Sequence, residues 1–138
     1  MPVTVENLVW MLTALAAVVV MLTRSRLISS SKQAGVSESP PELLGAHTAV
    51  GVVALAAWIA WLSGAARPVG VVGIGLLWVE VAIGLMILAR WLPSRGRHAT
   101  GATGDGWAHG PWLSVLGHGG MFLGISFFTW VFVGADRL

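Results

Sequence analysis

The chain has no cysteine and no tyrosine, and charged residues fill only 10% of its 138 positions. Without cysteine there are no disulfides, iron–sulfur clusters, thiolate metal sites or covalent c-type haem attachments. Soluble domains carry about a quarter charged residues, so this chain has too little polar surface for a water-exposed fold of its size. The formal charge is only +2, and the basic residues punctuate apolar runs without forming a dense patch. That excludes nucleic acid as a partner. A phosphate loop, a metalloprotease motif and a Ser-His-Asp arrangement are all missing, which removes the soluble kinases and hydrolases.

What remains is apolar. Hydrophobic residues reach 56%, with 18 glycines and 8 tryptophans. Four long runs stand out, at about 5–27, 42–64, 69–92 and 111–135. About 20 apolar residues cross ~30 Å of hydrocarbon, and each run is long enough. Pro41 and Pro111 sit where a helix can begin, and Pro93 where one stops. The pattern predicts an all-α fold, an integral membrane four-helix up-down bundle in one domain, 1–138, with the lipid bilayer as its solvent. Glu6 precedes the first run and no basic segment does, so that run reads as a retained helix and not a signal peptide. Trp10, Trp58, Trp61 and Trp130 are candidates for an interfacial belt.

Arg24, Arg26, Lys32, Arg90, Arg95 and Arg97 fall on the side of the two long loops, against Arg67 and Arg137 on the other. The positive-inside rule makes the long loops cytoplasmic and puts both termini outside. Abundant Ala, Gly, Val and Arg with a single lysine, Lys32, suggest a GC-rich bacterial genome and hence the bacterial inner membrane.

Two histidines lie within the runs: His47 in LLGAHTAVGVV and His118 in LSVLGHGGMFLG. Ionisable side chains inside a bilayer mark functional sites by default. Helices two and four leave the same side of the membrane, and at ~1.5 Å per residue the two imidazoles sit ~6 and ~9 Å deep. In an up-down bundle these helices occupy diagonal corners. Two imidazoles facing each other there are what a six-coordinate haem iron needs. Gly45, Ala46, Thr48, Gly51, Gly117, Gly119 and Gly120 leave room beside them. Arg24, Arg26 and Arg90 end their helices on the same side, where guanidinium groups suit haem propionates. The plainer alternative is that each histidine hydrogen-bonds a neighbouring helix, the glycines permit close packing, and the arginines set topology. A further metal reading adds His98 and His109 of the second long loop, since imidazole suits copper and zinc.

Glu80, in LLWVEVAIG, lies near the middle of the third run, ten residues from Arg90. No lysine or arginine matches its depth. It is a candidate proton carrier, a contact for a quinone or other substrate, or a plain interhelical hydrogen bonder to Thr13 or another helix.

With single histidines in helices two and four, His47 and His118, the chain resembles four-helix membrane b-type cytochromes of the cytochrome b561-like kind, and one half of a haem A synthase. The resemblance covers the whole chain as topology but only these two histidines as residues. Haem A synthases carry a glutamate and an arginine near the helix-two histidine. Here Glu42 stands five residues upstream and Thr48 follows. The resemblance implies a metal-binding electron-transport protein holding one haem b between His47 and His118, with Glu80 as a proton or quinone contact. Electrons would pass to a quinone or to another membrane subunit. Two alternatives stand beside it: a cofactor-free accessory subunit of a larger complex, and a small transporter or membrane enzyme using Glu80.

The haem reading makes a direct prediction. His47→Ala or His118→Ala should abolish the reduced-minus-oxidised haem spectrum of the purified protein while the bundle stays folded. A normal spectrum in either variant rules out that ligand pair.

Overall fold

The computed structural model describes residues 3–34, 41–91 and 111–134, with side chains described outside 23–34, 41–44, 87, 88, 90, 91 and 111–115. It contains four helices: α1 (Val5–Ala34), α2 (Pro41–Leu62), α3 (Arg67–Trp91) and α4 (Pro111–Gly134). Each contains a stretch long and apolar enough to span a bilayer. The protein is therefore a multi-pass membrane bundle, all-helical across the described residues. One boundary differs from the sequence expectation. α1 runs on to Ala34 and takes in Ser29–Ser31 and Lys32, which read as linker. Polar residues do not stop a helix that contains no proline or glycine, and none occurs between Val3 and Ala34.

Local chemistry sets the helix ends. Thr4 caps α1, its Oγ1 accepting from the Asn7 backbone N–H at 3.2 Å. Pro41, Pro68 and Pro111 occupy first turns, where the missing N–H costs nothing. Between α2 and α3 the chain reverses over Ser63–Ala66. Gly64 takes φ +106°, open only to glycine at low cost. Around it the Gly64 N–H donates to the Trp61 carbonyl and the Ala65 N–H to the Ala60 carbonyl, both at 2.9 Å. This is a Schellman stop.

The tight reversal locks α2 and α3 into one antiparallel register. On α2 the facing positions are His47, Gly51, Ala54, Trp58 and Trp61; on α3 they are Gly84, Glu80, Leu77, Gly73 and Gly70. The spacing alternates four and three, the seam of two helices packed side by side. Each layer sets a large residue against a small one. A Cβ on Gly73 would lie 2.8 Å from the Trp58 backbone nitrogen, and one on Gly70 would lie 2.7 Å from Trp61 Cγ. Small residues at such seams let backbones approach closely. Around the ring, α2 packs on α3, α3 on α4, and α1 on both α2 and α4, while α1–α3 and α2–α4 are diagonal.

The core is concentrated in the half nearest the Ser63–Ala66 turn. Trp58 is fully buried, with its ring 4.9 Å from Phe128 and 5.0 Å from Trp61. Trp61 meets Phe132 edge-on at 4.8 Å. The Trp58 indole N–H donates to Thr13 Oγ1 at 3.1 Å, and the Thr13 hydroxyl donates back to the Val9 carbonyl at 2.8 Å. Trp58 and Trp61 are thus core residues and not belt residues, because a glycine opposes each on α3. Trp10 and Trp130 do face outward.

Gly73→Val should destabilise the bundle by about 1–3 kcal/mol, since the added atoms meet backbone that cannot yield. Gly75→Ala, where an added Cβ meets nothing, should be neutral. Thermal unfolding in detergent, followed by helical circular dichroism, compares the two. Equal melting temperatures for Gly73→Val and the parent chain contradict the register.

Candidate functional site

The polar half of the seam lies beyond Ala54 and Leu77, away from the turn. In the next two layers Gly51 opposes Glu80, and His47 opposes Gly84. Both glycines are required by what they face. A Cβ on Gly51 would lie 2.7 Å from Glu80 Oε1. One on Gly84 would lie 2.7 Å from His118 Cδ2, 2.9 Å from His118 Nε2 and 3.4 Å from His47 Cε1. The two glycines open one shared space for three ionisable side chains from α2, α3 and α4.

Within that space Glu80 Oε1 stands 2.8 Å from His47 Nδ1. The Glu80 side chain is nine-tenths buried and the His47 side chain about four-fifths, at 10% and 19% exposure. The approach is close enough for an ion pair, yet its angle falls short of a well-aligned hydrogen bond, so His47 Nδ1 has no aligned partner. The other carboxylate oxygen, Glu80 Oε2, is buried with no hydrogen-bond partner in the structure. An unsatisfied buried acceptor costs about 1–3 kcal/mol. A proton or a cation at this carboxyl offsets that cost.

The His47 and His118 rings are nearly parallel, 11° apart, with centroids separated by 6.4 Å. That separation lies at the wide end of the range for offset-stacked rings. It matches two imidazoles sharing one metal, whose ~2 Å bonds put the ring centres roughly 6 Å apart. With Nδ1 of His47 turned to Glu80, Nε2 is the nitrogen through which it would bind a metal. A carboxylate on the non-ligating nitrogen is the usual support of a metal-bound imidazole. The space between the rings is nevertheless bordered by α3. The point where a Gly84 Cβ would stand is within 3.4 Å of both rings, so it falls inside the disc a porphyrin would fill. A porphyrin there would require α3 to withdraw. Among the described residues, no three His, Cys, Asp or Glu side chains converge to enclose a metal.

The other candidate residues divide cleanly. Arg90 lies at the end of α3, but Arg24 and Arg26 do not end α1, which runs on to Ala34; the side chains of all three are outside the described residues. His98 and His109 are also outside them. Thr13 bonds Trp58 and not Glu80. Trp78, two residues before Glu80, faces outward and donates to Thr129 at 3.0 Å. Sequence reading missed the His47–Glu80 pairing. It measured the depth of Glu80 from Arg90 and sought a lysine or arginine partner. Counting outward in equal steps from the Ser63–Ala66 turn would have found the histidine.

No family model, no curated protein and no solved structure matches this chain.

Gly51→Ala should push Glu80 off His47, because the new Cβ enters the carboxylate's position. The far end of a flexible side chain can shift, so the bundle should survive. Imidazole nitrogen chemical shifts of His47 should move in Gly51→Ala and stay fixed in Gly45→Ala, whose Cβ meets nothing. Identical His47 shifts in both variants contradict the contact.

Proposed function

We propose that the protein is a small proton-coupled membrane transporter whose proton-binding group is the His47–Glu80 pair. The observation that carries this reading is the 2.8 Å contact between an imidazole and a nearly buried carboxyl inside membrane-spanning helices. Such groups are costly in a bilayer and mark proton relays. A histidine–carboxyl pair that shares one proton is net neutral whichever member holds it, so a buried proton can pass between them without separating charge. His118, half-buried on α4, extends the polar chain away from the turn.

The bundle's asymmetry supports a carrier. Toward the turn, the site is backed by buried Ala54 and Leu77 and then by the Trp58, Trp61, Phe128 and Phe132 cluster. Away from the turn, His47 and His118 are only partly buried. A site sealed at one end and accessible at the other corresponds to one state of alternating access. By the positive-inside rule, the accessible end is cytoplasmic.

One haem b held by His47 and His118 is the second reading. The 6.4 Å ring spacing and the carboxyl on His47 favour it. It requires α3 to move back at Gly84. The group would supply one-electron transfer, because two histidines close both faces of its iron. A quinone or a partner subunit would exchange the electron, and Arg24 and Arg26, just beyond the Val5–Leu22 span of α1, and Arg90, at the end of α3, are the candidates for the propionates.

Glu80→Gln should reduce proton uptake into proteoliposomes by roughly tenfold or more, since a relay without its acid–base group loses the transfer step. It should also remove a pH-sensitive carboxyl band from the infrared difference spectrum. Unchanged uptake and an unchanged band in Glu80→Gln would refute the proton role. A haem spectrum that disappears in His118→Ala would favour the second reading.

A further inference from the structure

Resting on the transporter reading, we infer that the substrate class is a bare transition-metal cation of the zinc–copper kind, held between His47 and His118 in the gap that Gly84 leaves open. Three observations converge on this ligand. The near-parallel rings stand 6.4 Å apart, the separation of two imidazoles on one ion. The carboxyl of Glu80 sits 2.8 Å from the non-ligating nitrogen of His47, as in metal-bound histidines. The gap is bordered by a glycine at which any side chain would enter contact range of both rings.

Imidazole ligands suit zinc and copper, and the chain has no cysteine to favour a thiolate-bound ion. Among the described residues no third ligand converges with His47 and His118, so water would complete the coordination of an ion held there. Transport requires a site strong enough to load and weak enough to empty. Binding is proton-linked. The ion takes a nitrogen lone pair from each ring, and any proton held at that nitrogen leaves to water. Glu80, negative and behind His47, balances one of the two positive charges that arrive.

The test uses the full chain in detergent, titrated with Co2+ as an optical stand-in and with Zn2+ in competition. A single Co2+ should bind with visible ligand-field bands and with release of protons to a weakly buffered medium, and Zn2+ should then displace it. His47→Ala, His118→Ala and Gly84→Ala should each weaken binding by about tenfold or more. Gly75→Ala and the double variant His98→Ala/His109→Ala should not. Should Gly84→Ala fail to fold, the two histidine variants still decide. No saturable binding by the parent chain would overturn the inference, as would binding lost only with His98 and His109. Glu80-dependent proton uptake in a chain that binds no metal leaves the transporter reading standing and removes only this substrate. Loss of both removes both.

Discussion

The structure depends on how closely α2 approaches α3. The stop at Gly64 ends α2 within a turn of the start of α3. Every later layer then follows from equal counting in both directions. Because the helices are close, no layer has room for two large side chains. Trp58 and Trp61 consume Gly73 and Gly70, and the polar layers need Gly51 and Gly84 for the same reason. The core and the site are thus two stretches of one seam. The half near the turn is filled with aromatic rings, whose large contact area holds the helices in register. The other half is held by small residues and carries the ionisable groups.

That division gives the bundle a rigid end and a yielding end. Between lipid-bathed helices the hydrophobic effect gives little drive, so packing and hydrogen bonds must supply it. Near the turn they do: Thr13 bonds Trp58, linking α1 to α2, and Arg67 lies 5.0 Å over the Phe132 ring, linking the start of α3 to α4. Around His47 and His118 the facing surfaces are glycine and polar side chains. α1 adds little restraint, since its contacts are the sparsest in the ring.

Much of this was legible in the chain itself. Four apolar runs became four helices, Pro41 and Pro111 marked two starts, and the paucity of charge pointed to lipid. The histidines of helices two and four were also legible as a pair, because helices of like direction in a bundle place equal depths together. The roles of the tryptophans were not. An amphipathic ring near a helix end has the same composition whether it faces lipid or core, and only the glycines across the seam distinguish them. The partner of Glu80 was hidden for a related reason. Depth measured from a helix end carries an error of several residues, whereas the turn at Gly64 carries almost none. Sequence distance from a tight reversal is therefore the better ruler. It pairs Gly51 with Glu80 and His47 with Gly84, which puts the carboxyl one turn of helix from the imidazole.

The carboxyl also changes what the histidine pair can do. Two neutral imidazoles alone would admit a cation into low dielectric with both charges uncompensated, and such burial is expensive. With Glu80 beside His47, the site holds one acid, two bases and one orphaned acceptor oxygen. It would be neutral with a proton on the carboxyl, and with a divalent cation on the rings and the carboxyl ionised it would carry one positive charge instead of two. Each occupant makes the other less favourable, because both draw on the same negative charge. Competition of this kind between a proton and a cation at one site is the thermodynamic basis of coupled exchange. In the proposed transporter the coupling resides in a single carboxyl, and Gly51 is the residue that gives it room.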